Sequence, residues 1–259
     1  MRVALVGTGL DEIRPLLAEA GMEVVERDFE AVVCYGGDGT MIGAERAHPG
    51  VPKLALRRNR DREHYLESLR RAASRDPHVT TLPKLEALVQ GRRVLALNDV
   101  VVRNSNVSSA VRMRVEIDGS EYFGEVVGDG LLVCTPFGSS AYFRSVTNIV
   151  IHTGIGVAFI NSTEHVSHLV IATQSVVRAR ITRGPAVLAL DNDPCHLELH
   201  EGDEIIVRRA PEHATVWEIE NLLRMDSLAT QPGRMVRWLQ PLTPNGDGGG
   251  GPETPPQRA

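Results

Sequence analysis

Residues 31–40 read Ala-Val-Val-Cys-Tyr-Gly-Gly-Asp-Gly-Thr, an apolar run followed at once by a glycine-rich turn. The apolar run predicts a buried strand, and the pattern of residues 40–47 predicts a helix. Three glycines within four residues permit a sharp turn that a ligand can approach closely. We expect Thr40 to cap the helix, whose partly positive N-terminus attracts anions. The turn is therefore either a phosphate site or a tight structural connection in an α/β unit.

The aspartate inside this turn, Asp38, needs its own explanation because a carboxylate repels phosphate. Two functional roles fit it. Asp38 either orients or deprotonates a hydroxyl group, or binds a magnesium ion that bridges phosphates. The third explanation is an exposed turn residue without a chemical role.

The first 82 residues alternate short apolar runs with helical patterns. The predicted strands are residues 2–6, 31–35 and 54–56, and the predicted helices are residues 11–20, 40–47 and about 62–73. Asp11 is the expected N-cap of the first helix. Strands that alternate with helices predict a small parallel sheet covered by helices.

From residue 83 onward the helical period disappears and short β-rich runs follow one another. The predicted strands are residues 85–89, 94–103, 110–117, 122–127, 131–134, 156–160, 169–173, 176–181, 186–190, 204–208 and 215–219. The predicted fold class is α/β plus all-β, with an N-terminal α/β nucleotide-binding domain at 1–82 and a β-rich substrate-binding domain at 83–225. Residues 226–240 are expected to form a C-terminal segment that packs back onto the rest of the chain. Residues 241–259 hold five glycines and five prolines and are predicted to be disordered.

Composition excludes several classes of protein. The chain has 259 residues, a formal net charge of -5 and three widely spaced cysteines. The acidic balance argues against a nucleic-acid partner, and no window approaches the roughly 18 apolar residues of a membrane helix. The N-terminus lacks an apolar leader pattern, so we expect a cytoplasmic protein without a membrane partner. The only lysines, Lys53 and Lys84, do not stand in a P-loop motif, which excludes P-loop chemistry.

Arginine supplies the other 26 basic residues, and seven of them lie between residues 57 and 75. Genomic base composition is one explanation of this excess. The other is that some of Arg57, Arg58 and Arg60 meet phosphate, for which the planar guanidinium group is suited; Arg57 and Arg58 are the two candidate site residues.

Two further clusters carry polar groups next to apolar runs. Residues 128–142 read Gly-Asp-Gly-Leu-Leu-Val-Cys-Thr-Pro-Phe-Gly-Ser-Ser-Ala-Tyr, which predicts a turn, a strand and a hydroxyl-rich loop. That loop either presents Thr135, Ser139 and Ser140 to a ligand or is an ordinary polar loop. Upstream, Asn98 and Asp99 interrupt a β run, where such side chains are costly unless they meet a polar partner such as a ribose.

Taken in order, residues 36–40, 98–99 and 129–142 resemble the motifs of the NAD kinase family. The family motifs are Gly-Gly-Asp-Gly-Thr, Asn-Glu, and an Asp-Gly strand running into Thr-Pro-Thr-Gly-Ser-Thr-Ala-Tyr. A looser similarity lies at Asp191-Asn192, where the family carries Asp-Gly. The resemblance implies transfer of the γ-phosphoryl group of ATP, or of polyphosphate, to the 2′-hydroxyl of the adenosine ribose of NAD, with Mg²⁺ as the accompanying cofactor.

The resemblance also implies the site residues. Asp38 would be the base, and Asp129 would lie at the far end of the dinucleotide. Four residues would line the phosphates, namely Gly36, Gly37, Gly39 and Thr40. The nucleotide would contact Asn98, Asp99, Thr135, Ser139, Ser140, Ala141 and Tyr142, the last three lining the base pocket. No set of side chains is predicted to hold a metal by itself, and a homodimer or homotetramer packed through the β domain is implied.

The sequence departs from the family pattern at several places. Asp99 stands for glutamate, and Phe137 and Ser140 stand for threonines of the long motif. Residues 54–60 replace a Gly-x-Asn strand end and a glycine-rich loop, and residues 144–149 replace a Gly-Gly-Pro turn. Three hypotheses therefore stay open: an NAD kinase, a kinase of the same fold for another nucleotide or nucleoside, and a non-enzymatic nucleotide-binding relative or a lipid kinase.

Overall fold

A computed structural model describes residues 1–58, 60–163 and 167–222. The predictions for residues 223–225, 226–240 and 241–259 lie outside this part of the chain. The α-helices are α1 (Arg14–Glu19), α2 (Asp38–Ala47), α3 (Arg62–Ala73) and α4 (Tyr142–Thr147). Short 3₁₀ helices lie at Leu10–Glu12, Gly138–Ser140 and Ile219–Leu222.

The strands follow in chain order. The first seven are β1 (Arg2–Gly7), β2 (Glu23–Val24), β3 (Ala31–Tyr35), β4 (Lys53–Leu56), β5 (Val79–Val89), β6 (Arg92–Ala96) and β7 (Asp99–Asn104). The next five are β8 (Val111–Ile117), β9 (Ser120–Gly128), β10 (Gly130–Cys134), β11 (Ile155–Ile160) and β12 (His168–Ile171). The last four are β13 (Val177–Arg183), β14 (Ala186–Leu190), β15 (Leu197–Leu199) and β16 (Glu204–Trp217).

The N-terminal part is a parallel sheet in the order β2-β1-β3-β4, covered by helices. The predicted strand at residues 31–35 and the helix at 62–73 are confirmed with the same bounds. The single helix predicted at residues 11–20 is wrong. A 3₁₀ helix at Leu10–Glu12 is followed by the separate helix α1, which has Pro15 in its first turn. Proline suits the first turn of a helix because the backbone N–H that it lacks would have no hydrogen-bond partner within the helix.

The β-rich part is built from two sheets that pack face to face. Strands β16, β13, β8 and β9 extend the first sheet beyond β4, and the second sheet runs β12-β11-β10-β7-β14-β15. In β8 apolar and charged residues alternate. The apolar side chains of Val111, Met113 and Val115 point inward and form one core with Val100 and Leu131 of the other sheet. Alternation is the expected pattern for a strand with one buried face.

Strand β16 joins the two parts of the molecule. It pairs in parallel with β4 at its C-terminal end and antiparallel with β5 and β13. The two strands predicted at residues 204–208 and 215–219 are therefore one strand, in which an irregularity between Arg209 and His213 absorbs the break in pattern. The predicted fold class is confirmed, with an α/β part and a β-rich part. The division at residue 82 stays a prediction, since β5 crosses that point.

A buried ion cluster fastens α2 to the sheet. Glu45 of α2 accepts hydrogen bonds from Lys53 of β4 and Lys84 of β5, and all three side chains are buried. Lys53 also donates to the carbonyl oxygens of His48 and Val51, at 2.5 and 2.6 Å. Burial lowers the pKa of the Lys53 ammonium, and the Glu45 carboxylate opposes that shift. Both lysines of the chain are therefore structural.

No helix in the described ranges is long and apolar enough to cross a membrane.

Replacing Glu45 with glutamine would leave two buried ammonium groups without a carboxylate. We expect Glu45→Gln to lower the free energy of unfolding by about 3 kcal/mol or more, because an uncompensated buried charge is strongly destabilising. Urea unfolding at neutral pH measures it. The matched control is Glu121→Gln, which breaks an exposed ion pair with Arg114 and should cost less than about 1 kcal/mol. Equal losses in the two variants would contradict a stabilising role for the buried cluster.

Candidate active site

The glycine-rich turn lies at the carboxyl edge of the parallel sheet. Gly7, Tyr35 and Leu56 end β1, β3 and β4 and stand in register. The chain segments that follow these strands therefore emerge at one edge, which is where open α/β sheets bind ligands. The Gly36 amide donates to the Leu56 carbonyl at 2.9 Å, which ties the turn to this edge.

Helix α2 starts earlier than the sequence pattern indicates. It begins at Asp38, and Gly37 is its N-cap, so the predicted capping role of Thr40 is wrong. The Gly37 carbonyl accepts the Thr40 amide at 3.0 Å, which places Thr40 in the first helical turn. A Cβ atom at Gly36 would collide with the Thr40 hydroxyl, so this glycine is required by close packing.

Asp38 is accessible and faces an arginine. Its carboxylate is 52% exposed, and Oδ1 lies 3.9 Å from Nη1 of Arg57. The same Arg57 nitrogen donates to the Leu222 carbonyl at 2.5 Å. Arg58 points elsewhere, because its guanidinium lies 3.2 Å from Oε1 of Glu12. Of Arg57 and Arg58, the geometry brings only Arg57 to Asp38.

A bend at residues 97–99 replaces the continuous strand predicted over residues 94–103. One carboxylate creates this bend: Asp191 accepts the backbone amides of Leu97, Asn98 and Asp99 at 2.9, 2.6 and 3.1 Å. The Asp191 amide in turn donates to the Asp99 carbonyl at 3.0 Å. Asn98 therefore lies between β6 and β7, and Asp99 is the first residue of β7.

The loop that carries Asp191 also contacts the start of α2. The Asn192 side chain donates to the Gly39 carbonyl at 3.0 Å and accepts from Arg46 at 3.1 Å. Arg46 also pairs with Asp193 at 3.4 Å. Residues 191–193 thus join the segment around Asn98 and Asp99 to the helix that begins with Asp38.

The buried hydroxyl groups of the hydroxyl-rich loop form hydrogen bonds with backbone groups of the protein. Thr135 donates to the Leu97 carbonyl at 2.7 Å and accepts the Gly138 amide at 3.0 Å. Ser139 is fully buried and donates to the Pro136 carbonyl at 2.7 Å. Both hydroxyls therefore shape the loop that packs on the bend at residues 97–99. Ser140 is exposed and lies 3.3 Å from the Phe137 carbonyl.

Asp129 and Tyr142 lie at the other end of the same strands. Gly130 pairs with Arg103, and Cys134 pairs with Asp99, so the two ends are separated by about 13 Å at the usual rise per strand residue. At the Asp129 end a cavity of about 430 Å³ opens. Its lining includes Arg103, Tyr142, Ser145, Phe159, Asn161 and Ser167.

Hydrogen bonds order the walls of this cavity. Arg103 donates to the Tyr142 hydroxyl, and Asn161 donates to the Asp129 carboxylate at 2.7 Å. Ser140 and Ala141 are exposed and stand outside the described lining. The structure therefore brings Tyr142 and Asp129 to one end, and Asn98, Asp99 and Thr135 to the other.

Two carboxylates, the buried Asp99 and the half-buried Asp191, determine the electrostatics of the bend. Burial, followed by the charge of Asp191, raises the pKa of Asp99 to about 7. Burial also raises the pKa of Asp191, while its three amide donors oppose that shift. Within the described residues, Oδ1 of Asn98 is a buried side-chain oxygen that has no hydrogen-bond partner in the protein.

Four residues of this site were not predicted from the sequence as site residues. Asp191 and Asn192 were visible only as a loose similarity, and Arg103 and Asn161 carried no signal of their own. A left-handed backbone at Asp191, with φ of 51°, accompanies its turn, and an Asp-Asn-Asp run after a strand is typical of such turns.

The chain is similar in sequence to a known family model and to several known proteins. A family model described as the ATP-NAD kinase C-terminal domain matches residues 97–219. The NAD kinase of Acidovorax ebreus (strain TPSY) is 30% identical over 221 residues, which span 78% of this chain and 72% of the relative. The NAD kinase of Sulfurisphaera tokodaii is 25% identical over 234 residues, spanning 84% of this chain and 92% of the relative.

Solved structures share the fold. Yeast NADH kinase complexed with NADH matches with a TM-score of 0.76 and 15% identity, covering 91% of this chain and 89% of that one. An NAD kinase from Archaeoglobus fulgidus in complex with ATP matches with a TM-score of 0.71 and 19% identity, covering 86% and 95%.

The raised pKa of Asp99 predicts how stability depends on pH. Between about pH 4 and pH 7 the unfolded chain releases the Asp99 proton while the folded chain keeps it. The free energy of unfolding of the wild type should therefore fall relative to Asp99→Asn as pH rises, by up to about 1.4 kcal/mol per pH unit, and level off above pH 7. Urea unfolding between pH 4 and pH 8.5 measures the difference. A difference that stays constant with pH for Asp99→Asn would contradict the buried neutral acid.

Proposed function

Because the chain belongs to the NAD kinase family, we propose that it phosphorylates the 2′-hydroxyl of the adenosine ribose of NAD to give NADP, with ATP or polyphosphate as the donor. One observation supports this most directly: residues 191–193 join the bend at residues 97–99 to the start of α2. A nucleotide at the bend would then lie beside the carboxylate of Asp38.

Asp38 supplies a base where the reaction needs one. A ribose hydroxyl is a poor nucleophile at neutral pH, and a positioned base contributes about 10² to 10⁴ in rate. In the proposed step Asp38 takes the proton from the 2′-hydroxyl. The hydroxyl oxygen bonds to the γ-phosphorus, the bond to the bridging oxygen breaks, and ADP or the shortened polyphosphate leaves.

The start of α2 and Arg57 would hold the donor phosphates. The first amides of a helix lack intrahelical partners and favour anions, and the backbone at Gly37 is open to close approach. Arg57 adds a planar cation 3.9 Å from Asp38. Mg²⁺ would enter with the phosphate donor, and when bound it would neutralise phosphate charge.

The bend and the cavity would hold the acceptor. The unpartnered Oδ1 of Asn98 would accept a hydrogen bond from a hydroxyl or amino group of the nucleotide. Tyr142 would stack on a base, and Asp129 would accept from ribose hydroxyls about 13 Å away along the strands. Action in the cytoplasm and assembly as a homodimer or homotetramer stay predictions.

One observation favours a second acceptor. Arg103 and Asn161 line the cavity together with Tyr142, so its polar wall would also accept another nucleotide. Incubation with Mg-ATP and a panel of nucleotides and nucleosides, read out as ADP release, tests this alternative.

The direct test of the proposed function is a coupled assay. Protein, Mg-ATP or Mg-polyphosphate, and NAD are incubated, and an NADP-specific dehydrogenase reports the product. We expect NADP to form with at least one donor. No signal from NAD or NADH with either donor would overturn the proposal.

The role of Asp38 predicts a large effect on turnover. We expect Asp38→Asn to lower kcat at least about 100-fold while nucleotide binding stays largely intact, because the amide cannot take the proton. Steady-state kinetics and calorimetric titration with NAD separate the two effects. Asp28→Asn makes the same chemical change at an exposed turn, and should leave kcat unchanged. Wild-type turnover in Asp38→Asn would show that Asp38 is a turn residue without a role as a base.

The role of Arg57 predicts a defect specific to the donor. We expect Arg57→Gln to raise KM for the phosphate donor about tenfold or more and to leave KM for NAD within about twofold, because a guanidinium-phosphate contact is lost. Arg75→Gln removes an exposed arginine that pairs with Glu30, and should change neither constant. A selective rise in KM for NAD would place Arg57 at the acceptor instead.

A further inference from the structure

We propose that Asn192 is a positioning residue for the first turn of α2, and that it acts on Asp38 through the Gly39 carbonyl. This inference rests on the proposed function. It concerns a side chain at a position where the resemblance to the family motif implies glycine, so that motif does not supply its contact.

The chemistry of its neighbours fixes the orientation of the Asn192 amide. Arg46 offers only hydrogen-bond donors, so the side-chain oxygen of Asn192 faces it, at 3.1 Å. The amide nitrogen then faces the Gly39 carbonyl, at 3.0 Å. Arg46 is itself held by Asp193 at 3.4 Å. Both ends of the amide are thus used, and neither can be exchanged for the other.

The absence of a side chain at Gly39 allows this contact. A Cβ atom there would lie 3.2 Å from the Asn192 amide nitrogen, closer than ordinary van der Waals contact. Glycine also leaves the backbone of the turn free to adopt other conformations. A hydrogen bond from outside the helix therefore restricts a segment that its own sequence leaves loose, one residue after Asp38.

The other end of the contact is equally fixed. Asn192 follows Asp191, which is held by three backbone amides of residues 97–99. The position of Gly39 is consequently set relative to the segment that carries Asn98 and Asp99. Because a misplacement of about 1 Å can cost about 10² in rate, such a link would affect transfer more than binding.

The test uses two variants of Asn192. Asn192→Asp keeps an oxygen for Arg46 but replaces the donor to Gly39 with a second oxygen, and Asn192→Gly removes the side chain. We expect both to lower kcat about tenfold with KM for NAD within about twofold. Hydrogen exchange at residues 36–42 should become faster in both variants. The thermal midpoint of Asn192→Asp should stay near that of the wild type, because the contact with Arg46 is retained.

The matched control is Gln90→Glu. Gln90 donates to the Glu198 carbonyl at 2.9 Å and to Asp203 at 2.8 Å, so the variant loses an equivalent amide donor on a different loop. It should keep kcat and the exchange rate at residues 36–42.

The outcomes separate the two proposals. Unchanged exchange at residues 36–42 in both Asn192 variants would overturn the positioning role, whatever the activity. Faster exchange with unchanged kcat would also overturn it. A wild type that makes no NADP would overturn the proposed function. Faster exchange in the Asn192 variants would then show that the contact between Asn192 and α2 has a structural role.

Discussion

The candidate site depends on one half-buried carboxylate. Asp191 accepts three consecutive backbone amides and so turns the chain sharply at residues 97–99. Without these bonds three buried donors would lose their partners, each at a cost of about 1 to 3 kcal/mol. The bend in turn gives Thr135 its carbonyl partner and brings the Asn98 carbonyl against Gly138. Loop, bend and hydroxyl-rich segment therefore form one unit.

Helix α2 is held at both ends by contacts from distant parts of the chain. Near its start, Asn192 binds the Gly39 carbonyl. Near its end, Glu45 is buried between Lys53 and Lys84. A helix of ten residues fixed in this way can hold Asp38 on a turn rich in glycine. The scarcity of lysine acquires a structural meaning here, because both lysines serve this helix.

Local patterns in the sequence predicted much of the fold. The strand Ala31–Tyr35, the helix Arg62–Ala73 and most β-rich runs follow from apolar periodicity and turn residues.

The features that were missed depend on partners far away in the chain. Asp191 lies more than ninety residues from the amides that it binds. The continuity of β16 depends on pairing with β5, and the early start of α2 depends on glycines whose conformation the sequence leaves open. Arg57 and Arg58 look equivalent in the sequence, and only the fold directs one to Asp38 and the other to Glu12.

The central claim is that this site delivers the 2′-hydroxyl of an adenosine ribose to Asp38. Two analogues of NAD test it most directly, one lacking the 2′-hydroxyl and the other lacking the 3′-hydroxyl of that ribose. With Mg-ATP, ³¹P NMR should show a new phosphomonoester on the 3′-deoxy analogue, while the 2′-deoxy analogue should bind and inhibit without being phosphorylated. Phosphorylation of the 2′-deoxy analogue would contradict the account.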